Sequence, residues 1–85
     1  MFTGIIEETG EVVDINDTGD FRTIRVRGRA VFDDLRLGSS IAVNGVCLTS
    51  RSVEADTFSA EMSHETLART SLGNLARGAI VNLER

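Results

Sequence analysis

Apolar residues in this chain occur in short runs separated by glycine, asparagine and aspartate, and most runs alternate with polar residues. The clearest alternation covers 21–27, where Ile24 and Val26 share one face and Arg25 and Arg27 share the other. A period of two is typical of a strand with one buried face. Comparable patterns predict further strands at 1–6 and 10–15 (one strand, or two joined by a bend at 7–10), 40–43, 46–51, 57–62 and 79–83.

Turn-forming residues separate these strands. The polar cluster at 16–20 contains a glycine and predicts a turn. Asn44-Gly45 stands between two apolar runs and predicts a tight hairpin, because both residue types tolerate a positive φ.

Two segments that do not alternate predict short helices. Residues 29–37 contain enough apolar positions for a helical turn that Gly38 ends. Residues 64–72 predict a second helix, capped by Ser63 and closed by Gly73. The sequence Leu-x-x-Gly occurs at 35–38 and at 75–78, each time before an apolar strand, and predicts the same joint in both places.

The composition is that of one globular domain covering residues 1–85, with 41% hydrophobic and 26% charged residues, which excludes a disordered chain. About six strands at this spacing predict an all-β fold, either a small antiparallel barrel or a sandwich. A barrel of six strands fills with its own side chains, so a ligand is expected at the rim or in a cleft.

The charge balance argues against nucleic acid as a partner. The net charge is −4, and all nine basic residues are arginine. Four of these arginines, at 22, 25, 27 and 29, form a basic stripe that we interpret as a solvated strand face. The competing interpretation, a nucleic-acid groove on a barrel, requires aromatic stacking platforms, whereas the chain has four Phe and no Trp or Tyr.

Single residues limit the chemistry. Cys47 is the only cysteine, which excludes an intramolecular disulfide and predicts a cytoplasmic protein. His64 is the only histidine and has no cysteine cluster near it, so we predict no metal site. No apolar run approaches the roughly 20 residues of a membrane span, so we predict no membrane partner.

The candidates for a ligand-binding rim are side chains that are uncharged or nearly so at pH 7: Asn44, Cys47, Thr49, Ser63, His64 and Thr66. Such a set suits a hydrogen-bonding heterocycle better than a phosphate. Each member also has a purely structural interpretation. Cys47 can be a packed small hydrophobe, Asn44 a turn residue, and Ser63 and Thr66 a helix cap and first-turn residue.

Seven blocks of sequence, in order along the whole chain, carry a resemblance to a known family. They are MFTGIIEE at 1–8, FRT at 21–23, GSSIAVNGVCLT at 38–49, HETL at 64–67, LG at 72–73, Gly78, and VNLER at 81–85. With this order and spacing the chain strongly resembles the N-terminal repeat of riboflavin synthases, the family of lumazine-binding barrels. The resemblance implies a six-stranded antiparallel Greek-key β-barrel with short helical inserts.

The resemblance also implies a reaction. Riboflavin synthases transfer a four-carbon unit between two molecules of 6,7-dimethyl-8-ribityllumazine, giving riboflavin and a ribitylaminopyrimidinedione without a cofactor. Family chains carry two similar barrels and form trimers, and the active site lies between barrels of neighbouring chains. This chain has one barrel and lacks the family's following stretch with its Gly-Gly-His and Gly-His pattern. We therefore expect ligand binding with little turnover, and pairing with a second barrel domain or as a homodimer.

Carried over residue by residue, the resemblance places catalytic groups at Ser40 and Cys47 near the reacting ring. It places substrate contacts, partly through main-chain amides and carbonyls, on three stretches: Gly4, Ile5 and Ile6; Cys47, Leu48 and Thr49; and Glu61, Met62, Ser63, His64, Glu65 and Thr66. His64 departs from the family pattern. A non-catalytic lumazine or flavin binder of the antenna type shares the barrel and stays open as an alternative.

Overall fold

The chain folds as a closed antiparallel barrel in a computed structural model that describes residues 5–29 and 35–85. The strands are β1 (Glu8–Thr18), β2 (Phe21–Arg27), β3 (Ser40–Val43), β4 (Val46–Glu54), β5 (Thr57–Ser63) and β6 (Ile80–Glu84). Their order around the barrel is β1-β2-β5-β4-β3-β6. The predicted six-stranded barrel is confirmed, and a sandwich is excluded. β3, β4 and β5 follow one another as neighbours and β6 returns beside β3, which is the order that defines a Greek key.

The barrel interior is filled by the inward residues of the alternating strands. The buried apolar side chains are Val12, Ile24, Val26, Leu35, Ile41, Ala42, Val43, Leu48, Phe58, Ala60, Met62, Leu72, Val81 and Leu83. With the interior occupied, a ligand has to bind on the outer surface. No helix in the described part of the chain is long and apolar enough to cross a membrane.

The first strand differs from its prediction. β1 is one continuous strand that includes 16–18, and the turn is only Gly19-Asp20. The strand is long because it pairs with two neighbouring strands. Its first part pairs with β6 and the rest pairs with β2. Residues 1–4 of the first predicted strand lie outside the described residues, and residues 5–6, which are described, are not in a strand.

Gly10 lies where β1 passes from β6 to β2. A Cβ atom there would come within 2.7 Å of both the carbonyl oxygen of Arg27 and Cδ1 of Leu83. Glycine is therefore required by the close approach of the neighbouring strands. Of the two alternatives left open at 7–10, a bend or a continuous strand, the structure has a continuous strand from Glu8 onward.

The Asn44-Gly45 hairpin forms as predicted. Asn44 has a φ of 50° and Gly45 a φ of 81°, which is the left-handed pair that a two-residue turn between antiparallel strands demands.

The helix after β5 is shorter than predicted. Ser63 caps it by accepting a hydrogen bond from the amide of Thr66, as the sequence predicted, but α1 ends at Arg69 (His64–Arg69). Thr70 then adopts an extended conformation, and a separate 3-10 helix follows at Ser71–Asn74. Most of the other predicted helix, at 29–37, lies outside the described residues, and the described part at 35–37 is not helical.

The repeated Leu-x-x-Gly sequence forms the same turn twice. Gly38 and Gly78 have φ values of 86° and 90°. The backbone amide of the residue after each glycine donates a hydrogen bond to the carbonyl three residues earlier. The distance is 2.9 Å from Ser39 to Arg36 and 3.0 Å from Ala79 to Ala76. These turns lead into β3 and β6, which pair with each other.

Two ion pairs fix exposed parts of the barrel. Arg85 lies 2.6 Å from Glu7 and ties the end of β6 to the segment before β1. Hydrogen bonds from the side chain and backbone of Arg85 hold the pKa of Glu7 below its usual range. Arg22 lies 2.7 Å from Asp17 across the first hairpin, and its side-chain hydrogen bond lowers the pKa of Asp17.

Candidate ligand-binding cleft

β4 and β5 pair along only about half of β4 and are apart along the rest. Their ladder runs from Ser50↔Ala60 to Glu54↔Thr57. Beyond Ser50, residues 46–49 of β4 pair in register only with β3, and residues 61–63 of β5 only with β2. A gap therefore opens in the barrel wall.

The gap exposes main-chain groups of β4. The amide and carbonyl of Ser50 point to the β3 side, where they bond to Ser39 and Gly38 over 2.9 Å each. Successive residues of a strand direct these groups to opposite sides. The amides and carbonyls of Cys47 and Thr49 therefore face the gap, where they can pair with the edge of a planar ligand.

A cleft of about 370 Å³ lies over the gap. Its floor is formed by Leu48 and Met62, which are buried. Its sides carry the outward side chains of both strands, and the start of α1 closes one end. The lining residues are Phe21, Cys47, Leu48, Thr49, Arg51, Glu61, Met62, Ser63 and Thr66.

The start of α1 positions a hydroxyl at the end of the cleft farther from the Ser50↔Ala60 pair, where the strands are apart (the wide end). The Ser63 hydroxyl accepts from the amide of Thr66 and donates to its Oγ1, over 3.2 Å in each case. Capping therefore fixes the Thr66 side chain, so the structural and ligand-binding interpretations of these two residues are compatible.

The charges at the cleft balance. Among the residues that the structure describes, the charged ones that line it are Arg51 and Glu61, whose Nε and Oε1 atoms lie 3.0 Å apart. Cys47, also in the lining, is an exposed free thiol. A neutral, hydrogen-bonding ligand with an apolar face suits this surface.

The sequence matches a family described as the lumazine binding domain over residues 3–85. This chain belongs to the lumazine-binding domain family. It is 49% identical to riboflavin synthase from Actinobacillus pleuropneumoniae and 42% identical to that from Bacillus subtilis, over 85 residues that cover all of this chain and 40% of each relative. It is 50% identical to riboflavin synthase from Mycobacterium tuberculosis, covering 43% of that protein. The predicted resemblance is confirmed, and the chain spans less than half the length of these relatives.

Solved structures show the same barrel. LumP complexed with 6,7-dimethyl-8-(1'-D-ribityl) lumazine superposes with a TM-score of 0.91 at 25% identity, over 99% of this chain and 48% of that one. LumP complexed with riboflavin gives the same TM-score and identity, over 46% of its length. LumP complexed with flavin mononucleotide also matches with a TM-score of 0.91.

The cleft of this lumazine-binding domain brings together most of the residues that the sequence selected: Cys47, Leu48, Thr49, Glu61, Met62, Ser63 and Thr66. They come from two strands and a helix that meet at the gap. No ligand contact follows from this grouping alone, so their binding roles stay predictions.

Other selected residues of the lumazine-binding domain lie elsewhere. His64 and Glu65 are on α1 but do not line the cleft: the His64 ring bonds to the carbonyl of Gly19, and Glu65 pairs with Arg69 at 3.6 Å. Ile5 and Ile6 are exposed.

Two further residues, Ser40 and Gly4, complete this set. Ile6 lines a separate depression of about 200 Å³ beside Asn44 and Asn82. Ser40 lines another, of about 260 Å³, beside Arg85, although its strand partner is Thr49. Gly4 lies outside the described residues.

Two residues that line the cleft of the lumazine-binding domain were not predicted from the sequence. Phe21 is 44% exposed and reaches the cleft from β2, where it pairs with Ser63. In the alternating segment 21–27, Phe21 falls on the same face as Arg25 and Arg27, which is the outer face. This alternation is the signal that could have identified it. Arg51 shares the outer face of Cys47 and Thr49 by the same kind of alternation, at a point where the β4–β5 pairing is irregular.

Proposed function

We propose that this chain is the N-terminal, ligand-binding domain of a riboflavin synthase and that its cleft binds 6,7-dimethyl-8-ribityllumazine and riboflavin. The gap between β4 and β5 carries the proposal, because it combines an apolar floor with unpaired main-chain groups of Cys47 and Thr49. A fused heterocycle with a uracil-like edge needs both features. The cleft volume of about 370 Å³ falls within the range of small-molecule sites.

The ring binds at the wide end of the cleft. Phe21 presents an exposed aromatic surface there, and the Thr66 hydroxyl lies beside it. Aromatic side chains stack on heterocycles with little dependence on their substituents, so Phe21 supports both lumazine and riboflavin. Cys47 contributes a polarisable thiol beside the reacting ring, and Ser40 is proposed as a second catalytic group on the adjoining strand.

The full reaction joins two molecules of one compound, and each cleft is large enough for one. A second barrel facing this one, from a second domain or a second copy of the chain, supplies the other lumazine, and the trimer seen in the family arranges such pairs. Proximity and orientation of the two bound molecules then provide much of the acceleration. An isolated domain therefore binds ligand with little turnover. A cytoplasmic location is part of the same proposal, supported by the single free thiol.

The synthase is favoured over a non-catalytic binder of the antenna type. The synthases reported above are 42–50% identical to this chain, whereas LumP is 25% identical. Riboflavin formed from lumazine by the chain joined to a second barrel supports the synthase. Binding without product in that two-barrel form favours the binder.

The proposal is tested by fluorescence titration combined with protection of Cys47. The chain has no Trp or Tyr, so protein emission hardly interferes with the ligand. We expect saturable binding of both ligands. At about ten times the dissociation constant of riboflavin, alkylation of Cys47 by iodoacetamide should slow by about tenfold.

Ribitol at the same concentration serves as the control and should leave alkylation unchanged. Saturable binding without protection would place the ligand outside the cleft. The absence of binding to either ligand would contradict the proposed function itself.

Thr66→Ala should weaken riboflavin binding by about tenfold, the equivalent of one lost hydrogen bond. The fold should persist, because the Ser63 cap also bonds to the backbone amide of residue 66. The measurement is the same titration, with circular dichroism to check the fold. Thr9→Ala is the matched control, since Thr9 is an exposed threonine of β1 outside the cleft. Equal affinities for the two variants would remove Thr66 from the site.

A further inference from the structure

Arg51 lies on the outer face of β4 with Cys47 and Thr49, at an irregularity in the barrel. Ser50 pairs with Ala60 and Ser52 pairs with Ser59, so Arg51 is an extra residue on β4 with no partner of its own in this register. Arg51 reaches Glu61 on β5 at 3.0 Å, across the point where the two strands begin to separate.

The cleft therefore has two different ends. The wide end contains Phe21 and Thr66, together with the gap-facing main chain of Cys47. The narrow end contains Arg51 and Glu61. Arg51 lies four positions after Cys47 along β4, a distance of about 13 Å at the rise of a strand. This is about the length of a fused bicyclic ring with its ribityl chain extended.

A ligand bound with its ring at the wide end directs its ribityl chain to the ion pair. This orientation rests on the proposed function. Hydroxyl groups both donate and accept hydrogen bonds, and the arginine–carboxylate pair offers donors and acceptors side by side. A terminal phosphate only accepts at neutral pH, and it would meet the Glu61 carboxylate.

We infer that the Arg51–Glu61 pair makes this site select ligands whose ribityl chain ends in a hydroxyl over those that end in a phosphate. The Glu61 carboxylate repels the phosphate. It also forms an ion pair with Arg51, the arginine of the cleft that could otherwise neutralise the phosphate. The barrel itself does not impose this choice, because the structurally similar LumP has been solved with flavin mononucleotide. The selectivity comes from two side chains of this chain.

The test compares riboflavin with flavin mononucleotide, which differ by the phosphate. We expect the wild-type chain to bind flavin mononucleotide several-fold more weakly than riboflavin. Glu61→Gln should raise the affinity for flavin mononucleotide relative to riboflavin by about tenfold, because repulsion is lost and Arg51 is freed. Arg51→Gln should lower the same ratio. Both changes should shrink at 1 M salt, since the groups are exposed.

Glu54→Gln is the matched control, because Glu54 is an exposed carboxylate at the far end of β4 and does not line the cleft. It removes the same charge and should leave the ratio within about twofold of wild type. If the affinity for flavin mononucleotide relative to riboflavin were the same in Glu61→Gln and Glu54→Gln, the inference would be overturned. The proposed function would stand in that case, because riboflavin still binds. A wild-type chain that binds neither flavin would overturn both.

Discussion

Phe58→Ala is expected to lower the free energy of unfolding by about 3–5 kcal/mol. Phe58 is the largest fully buried side chain among the described residues, on β5, paired with Val26 on one side and Val53 on the other. Truncation leaves a cavity that the closed ring of strands has little freedom to fill. A chain of this length has about 4–13 kcal/mol of stability in total, so the loss removes a large share of it. Urea denaturation followed by far-ultraviolet circular dichroism measures the change.

Phe21→Ala is the matched control for this prediction. It removes the same atoms from a ring that is 44% exposed. We expect its free energy of unfolding to stay within about 1 kcal/mol of wild type. Similar losses for the two variants would mean that the barrel interior is not packed as described.

Gly73→Ala is expected to cost about 2–3 kcal/mol through overpacking. A Cβ atom on Gly73 would lie 2.3 Å from the carbonyl oxygen of Leu67. That oxygen belongs to α1, so either α1 or the 3-10 helix has to move. Because Thr66 is on the same helix, riboflavin affinity should fall together with stability. Urea denaturation and the ligand titration measure the two effects.

Ser71→Ala is the control in the same 3-10 helix. Ser71 is exposed, and its substitution should leave the free energy of unfolding within about 0.5 kcal/mol of wild type. If Gly73→Ala were as stable as Ser71→Ala, the close contact between the two helical segments would be contradicted.

The incomplete pairing of β4 and β5 links the fold to its proposed use. A fully paired barrel of six strands would offer a ligand neither space inside nor free main-chain groups outside. Here the ladder stops at Ser50↔Ala60, and the strands beyond it open over Leu48 and Met62. The barrel thereby combines a rigid support with an edge that can form hydrogen bonds.

Local sequence determined the elements whose geometry depends on a few adjacent residues. Asn44-Gly45 specifies its hairpin because the turn requires two positive φ angles, and the structure has them. Ser63 specifies the start of α1 because its hydroxyl satisfies a free helix amide. The alternation at 21–27 specified which residues of β2 are buried, and even where Phe21 points.

Tertiary structure decided everything that depends on which strands become neighbours. β1 extends through its polar residues 16–18 because β2 supplies their partners, an effect that no local pattern contains. α1 ends early because Thr70 turns extended and caps the next helix through its own side chain. The cleft exists only where the pairing of β4 and β5 stops, and Arg51 lies at the irregularity next to that point. Register and strand separation are set by long-range contacts, so the sequence identified most lining residues but not the gap that unites them.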